Sequence, residues 1–217
     1  ALYRAAKTHF DGKPWYDWPD EALRRHESAA VERWREKLAE EVSFHTYIQY
    51  WFFTQWESLK QYANSLGIQI IGDLPIYVSL DSSDVWAERE QFLLDGEGKP
   101  SKVAGVPPDY FSEDGQLWGN PLYDWAAMKR DGFGWWIRRV EGAAKLFDAI
   151  RIDHFRGLES YWAIPADSDT AKVGQWEKGP GMDLLRVLTG WFSGITYIAE
   201  DLGILTDAVH NLRNESG

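Results

Sequence analysis

The sequence predicts an α/β fold with parallel strands joined by helical crossovers, and two observations carry that expectation. Residues 68–73, 146–153 and 195–201 are short, nearly continuous apolar runs rich in β-branched side chains, the pattern of strands buried on both faces. A helix-like stretch precedes each of them: 28–66, 135–145 and 181–192. Helix followed by buried strand, repeated, requires parallel pairing, because parallel neighbours can be linked only by a crossover.

Taken in order, residues 1–10 read as a short helix that Asp11-Gly12-Lys13-Pro14 stops. Trp15-Tyr16-Asp17-Trp18-Pro19 is an aromatic turn, and Pro19-Asp20-Glu21 an acidic helix start. From Ser28 onward Val31, Trp34, Leu38, Val42, His45, Ile48, Phe52, Trp56, Leu59, Tyr62 and Leu66 recur at steps of three and four, which means helix. Ser43 is the expected point of any division. Gly67 stands where a helix C-terminus wants a positive φ. Residues 79–134, between the first two strands, form a long loop without clear elements, and loops of that length are functional or disordered. Its Tyr, Phe and Trp content is unlike a disordered linker. The expected organisation is a helical part over 1–66 and a strand-bearing segment over 67–217, with 79–134 inserted.

The chain has 217 residues and a net charge of −11, which argues against nucleic acid and anionic membrane surfaces as partners. No apolar run is long enough to span a bilayer, and nothing at the start reads as a signal peptide. Cysteine is absent, which removes disulfide, thiolate and cysteine–metal chemistry and suits a cytoplasmic setting. The chain opens on Ala1 and closes on Asn214-Glu215-Ser216-Gly217, so a trimmed chain is expected. Aromatic residues are abundant, with 13 Trp, 10 Tyr and 10 Phe. Such a surplus serves either a large aromatic core or platforms for flat apolar ligand faces, among them the C–H faces of sugars.

Each predicted strand ends in a carboxylate: Asp73, Asp153 and the pair Glu200-Asp201. In parallel sheets the site lies at the carboxyl ends of the strands, so these groups converge on one face. Arg151 and Asp153, two apart on a strand, point the same way, and the arginine keeps the carboxylate ionised and oriented. Asp153 is therefore the better nucleophile or base, and a Glu at the next strand end the better acid. Two carboxylates beside an aromatic loop are what glycoside chemistry needs. Phosphate-binding glycine loops and HExxH are absent, and His9, His26, His45, His154 and His210 are scattered, so no metal is expected. Asp167-Ser168-Asp169 lacks the glycine and glutamate of a calcium loop and reads as an exposed turn.

Five segments then resemble one family in its own order. They are Ile71-Gly72-Asp73-Leu74-Pro75-Ile76-Tyr77-Val78, Ala104-Gly105-Val106-Pro107-Pro108-Asp109-Tyr110-Phe111-Ser112, Gln116-Leu117-Trp118-Gly119-Asn120-Pro121-Leu122-Tyr123, Arg151-Ile152-Asp153-His154-Phe155-Arg156-Gly157 and Ala199-Glu200-Asp201-Leu202-Gly203. The sequence resembles the 4-alpha-glucanotransferases (amylomaltases, disproportionating enzymes, glycoside hydrolase family 77), and only the middle of a member. The resemblance implies a partial (β/α)₈ barrel, with strands three to five present. It makes Asp153 the nucleophile and Glu200 the general acid/base. Arg151, Asp73, Trp118, Tyr110, Asn120 and His154 become substrate-binding residues, with Trp118 stacking on glucose at the acceptor side. Arg156 belongs to the motif, and Asp201 is structural. The implied reaction moves α-1,4-glucan segments between malto-oligosaccharides, without a cofactor. The alternatives are an α-glucan hydrolase of the same clan and a non-catalytic glucan-binding fragment. The family's third carboxylate, an Asp after a His near the seventh strand, falls outside the chain. The 217 residues alone are thus expected to be inactive and to self-associate through open sheet edges.

Overall fold

The computed structural model describes residues 1–110 and 112–217; Phe111, part of one quoted motif, lies outside the described residues. The chain begins with helix α1 (Leu2–His9), which ends at Asp11 and Gly12, both at positive φ. A 3₁₀ turn at Trp15–Asp17 leads to the short α2 (Glu21–Arg24), capped by the Asp20 side chain on the Leu23 N–H. Helices α3 (Ser28–Lys37) and α4 (Ala39–Ser65) follow. The division falls at Leu38, not at Ser43, because Leu38 is buried and turns the chain there.

Strand β1 (Ile71–Pro75) starts three residues later than the apolar run suggests. Next come α5 (Ser83–Ala87), β2 (Lys102–Val106), β3 (Gln116–Pro121), α6 (Trp125–Arg130) and α7 (Gly134–Leu146). The excursion read as an unstructured loop is therefore largely ordered. Strands β4 (Ala149–Asp153), β5 (Ser160–Pro165) and β6 (Gln175–Lys178) precede α8 (Met182–Trp191), β7 (Thr196–Ala199) and α9 (Asp207–Ser216).

Among the described residues two sheets result, one parallel and one antiparallel. The parallel sheet has the order β1-β4-β7, with Asp73 level with Arg151 and Ile152 level with Ala199. Its connections run through α7 and α8, as the helix–strand repetition predicts. The antiparallel sheet has the order β3-β2-β5-β6, which the sequence reading did not anticipate. Gly105 permits a bulge between β2 and β3: a Cβ there would stand 2.2 Å from the Gln116 carbonyl oxygen.

Burial on both faces of the parallel strands does not hold. Along β1, Gly72 and Leu74 are buried while Ile71, Asp73 and Pro75 are exposed, and β7 likewise exposes Thr196 and Ile198. The helix-facing side is packed so closely that a Cβ at Gly72 would sit 1.9 Å from the Phe147 ring. The opposite side carries Asp73, Arg151 and Asp153 together with the exposed Ile71 and Ile198, and no layer of the described residues packs over it. A short β-branched run reads the same in either case, since its composition does not say what lies across the second face.

The core runs continuously from Leu2 to Leu212 and absorbs much of the aromatic surplus. Trp15, Trp18, Trp34 and Trp86 are buried, and each donates its indole N–H: to Leu80 O, Lys13 O, Asp20 Oδ2 and Leu23 O respectively. Helix α4 differs, for none of its residues is buried, and Phe44, Tyr47, Tyr50, Phe52 and Tyr62 are exposed. Polar staples hold its second half to the start of the parallel sheet. Trp56 and Lys60 donate to the carbonyls of Leu146 and Phe147, and Asn64 to Asp148. Asp148 also accepts the Ile70 N–H at 2.8 Å, and that backbone bond leads in holding its carboxyl below the usual range. Among the described residues no helix is long and apolar enough to cross a membrane.

Candidate active site

Asp153 at the carboxyl end of β4 and Glu200 just past β7 meet at one end of the parallel sheet, whereas Asp73, expected at a strand end, lies in the middle of β1 level with Arg151, because β1 runs on to Pro75. Arg151 joins two of them. Its Nε donates to Asp73 Oδ1 at 2.9 Å and its Nη2 to Asp153 Oδ1 at 2.9 Å, the same Nη2 lying 3.3 Å from Asp73 Oδ2. Desolvation opposes the guanidinium charge, but the Asp73 hydrogen bond and the charges of Asp73, Asp153 and Glu200 outweigh it and raise the Arg151 pKa. One planar donor fork thus orients the Asp153 carboxylate through Oδ1 and leaves Oδ2 outside the Arg151 hydrogen bonds.

Glu200 follows β7, where its backbone N–H still pairs with Ile152 O at 3.1 Å. Its side chain is anchored by two main-chain donors, the His154 N–H on Oε2 (2.9 Å) and the Leu202 N–H on Oε1 (2.6 Å). The first requires an unusual backbone. His154 sits at φ 58°, in the left-handed region that few non-glycine residues adopt. Its imidazole is half-buried, edge-on to Trp118 with ring centroids 4.8 Å apart, and its buried Nε2 has no hydrogen-bond partner among the described residues. Burial, assisted by the Arg156 charge and opposed by Asp153, pulls the His154 pKa down to about 4. The ring is therefore neutral at physiological pH.

These groups line a cleft of about 380 Å³ containing Arg151, Asp153, His154, Glu200, Trp118 and Trp176. Asp73 stands beside the cleft, reached through Arg151. Trp118 forms the wall contributed by β3, its indole N–H on Gln116 Oε1 at 3.1 Å. The other two aromatic-loop candidates lie elsewhere. Asn120 donates to Val78 O at 2.9 Å and Tyr110 is 98 % exposed; neither lines the cleft. Asp201 is turned away onto Arg213 at 3.0 Å. A larger hollow, about 650 Å³, lies between β7, α8 and α9, but it holds none of Asp73, Asp153 and Glu200.

Sequence reasoning missed Trp176 and Arg156 as cleft residues. Arg156 is buried, lies 3.9 Å beneath the Trp176 ring, and donates to Ile204 O at 2.5 Å and Ser160 Oγ at 2.9 Å. Trp176 lies between charged and polar neighbours on a short exposed strand, so no hydrophobic pattern announces it.

By fold and cleft the chain falls among mixed α/β proteins that gather carboxylates at strand ends and face them with an aromatic wall. It belongs to the 4-alpha-glucanotransferase family, whose model matches residues 1–217. The chain is 51 % identical over all its residues to a 4-alpha-glucanotransferase of Streptococcus pneumoniae, and 52 % identical to that of Thermus thermophilus. In each case it spans 43 % of the relative's length. Among solved structures, an amylomaltase from Streptococcus agalactiae in complex with acarbose superposes with a TM-score of 0.95 at 44 % identity. That match covers 100 % of this chain and 44 % of the other.

Proposed function

We propose that this chain supplies the nucleophile and the acid/base of an enzyme that transfers α-1,4-glucan segments by retaining double displacement. The observation that carries the reading is that Asp153, oriented by Arg151, and Glu200 line one cleft, with Asp73 held beside it by the same arginine. Family membership and the acarbose complex of the Streptococcus agalactiae relative support an oligosaccharide as the occupant. Within it, Asp153 attacks the anomeric carbon as the glycosidic C–O bond breaks, and Glu200 gives its proton to the departing oxygen. Glu200, then ionised, takes the proton of an acceptor 4-hydroxyl while that oxygen displaces Asp153. Two inversions retain the α configuration. Trp118 would hold the acceptor sugar, and an acceptor held in place outcompetes water.

The parallel sheet is proposed as a partial barrel, its open face with Asp73 and Arg151 being the barrel interior. On this reading the 217 residues alone do not sustain transfer, and they associate through the unpaired sides of β1 and β7. The test is incubation of maltotriose with a protein of the relatives' length that carries this chain. Glucose plus oligosaccharides longer than maltotriose is the expected outcome; products no longer than maltotriose would replace transfer with hydrolysis. Disproportionation by a 217-residue monomer would overturn the statement about the isolated chain.

A further inference from the structure

Trp176 and Arg156 form a built feature on the side of the cleft supplied by β6, away from Trp118 on β3. Trp176 is 41 % exposed although it lines the cleft, so part of its ring is offered to whatever occupies that space. One face is already used: the Arg156 guanidinium lies 3.9 Å from the ring centroid, and this arginine is only 3 % exposed. The Trp162 ring packs edgewise at 5.2 Å, which fixes the plane of the indole. An indole backed by a buried cation and braced at its edge is preorganised, so a ligand stacking on the open face loses little entropy in ordering it.

Arg156 does more than back the ring. Its Nη1 holds the Ile204 carbonyl, four residues after Glu200, and its Nη2 holds Ser160 at the start of β5. The segment after β7 is therefore fastened to the antiparallel sheet through the same guanidinium that supports Trp176. We propose that Trp176 is a second sugar-stacking platform of this cleft, taking the C–H face of an α-linked glucose unit, and that Arg156 ties this platform to the segment carrying Glu200. The inference rests on the glucan reading above and adds a binding residue and a positioning residue to it. Arg156 reaches the chemistry through Ile204, Trp176 and its charge beside His154, so it is a positioning residue.

The test uses the full-length protein that carries this chain, with Trp176→Ala, Trp176→Phe and Arg156→Lys. Trp176→Ala is expected to raise the acceptor KM for maltotriose about tenfold, as truncating a binding aromatic does. The rate of donor cleavage to water is expected to fall by a smaller factor than the acceptor KM rises. Trp176→Phe, which keeps a ring, should recover most of the acceptor KM. Arg156→Lys keeps the charge but loses the paired donors, and should shift transfer toward hydrolysis while leaving the melting temperature close to the parent's. A parallel calorimetric titration of maltotetraose into the Asp153→Asn background, with and without Trp176→Ala, reads binding without turnover. Unchanged acceptor KM and unchanged maltotetraose affinity in Trp176→Ala would overturn the platform. An equal loss in transfer and hydrolysis for Arg156→Lys would overturn its positioning role. If the parent protein did not disproportionate maltotriose, the function reading would fail, and the titration would decide the platform by itself.

Discussion

On the proposed function the two sheets of this molecule divide the labour of one cleft, and they do so with different physics. The parallel sheet presents charge: Asp73, Arg151 and Asp153 lie on its open face or strand ends, and Glu200 follows its third strand. The antiparallel sheet presents rings: Trp118 comes from β3 and Trp176 from β6, the two outer strands of the order β3-β2-β5-β6. Charged groups that must act on one atom need positions fixed within fractions of an ångström, and parallel strands stapled by helices and backbone bonds supply that. Rings that stack on a sugar tolerate more displacement, and edge strands suffice. The comparison teaches that chemistry and recognition in this cleft should be separable by mutation.

The largest effect should come from the charged sheet. Replacing Asp153 with Asn leaves the Arg151 hydrogen bond a neutral acceptor but removes the attacking charge. Glycosyl-enzyme formation in the full-length protein should fall by about 10⁴-fold or more, with the fold preserved. Trapping the covalent sugar with a slow substrate and mapping it by mass spectrometry checks this, and attachment to any other residue would refute the nucleophile assignment.

Arg151 comes next. It spans Asp73 and Asp153 with two different nitrogens, a geometry that one ammonium cannot copy. Arg151→Gln should cost about 10²–10³-fold in single-turnover cleavage and Arg151→Lys about tenfold, the conservative change recovering charge but not the fork. Equal losses in the two variants would mean that charge alone matters.

How far these assignments could be read before the structure differs between the sheets. The strand-end positions of Asp153 and Glu200 were legible, because each closes a β-branched run and the chain repeats helix then strand; Asp73 was read the same way, but β1 continues to Pro75 and leaves it mid-strand beside Arg151. The antiparallel sheet was not. Its strands contain Gly105, Gly119 and Pro121, residues that local rules read as breaks, and β2 pairs with β5 far along the chain (Val103 with Ile164). Helix α4 was legible as a helix but not as an exposed one, since spacing reveals a face and says nothing of what covers it. The left-handed backbone at His154 had no sequence signal either. Only the surrounding packing, with Trp118 against the ring and Glu200 on the N–H, holds it there.

His154 yields the third prediction, a pH dependence of stability. Its pKa is about 4 when folded against the ordinary 6.5, so below pH 6.5 the unfolded chain binds the extra proton. Stability from this group is complete above pH 6.5 and is lost as pH falls through about 4, in total about 3 kcal/mol. His26, also lowered by burial, acts in the same direction. The lowered carboxylates Asp148, Glu159 and Glu177 act at more acid pH, below their ordinary values. His154→Asn, which accepts the left-handed backbone and does not titrate, should flatten the loss between pH 6.5 and 4.5. Melting temperatures of parent and variant across that range would show it; parallel curves would mean the ring is not held neutral.

The smallest effect tests the ring side of the comparison. Trp118 is 37 % exposed, lies edge-on to His154 and is tilted against Tyr77 at 6.3 Å, with its N–H on Gln116. None of the charged residues depends on it for a hydrogen bond, so removing the indole leaves Arg151 and Asp153 where they are. What is lost is contact area for a sugar, about 1–1.5 kcal/mol, or roughly tenfold in acceptor KM. Water needs no platform, so the hydrolytic rate of Trp118→Ala should hold while transfer weakens, and the ratio of glucose released to glucose transferred should rise. Trp118→Phe should stand between parent and Ala because it keeps a flat face but loses the Gln116 bond. Should Trp118→Ala lower transfer and hydrolysis by the same factor, the indole would be serving His154 and, through it, Glu200. The division between a chemical sheet and a recognising sheet would then not hold on this side of the cleft.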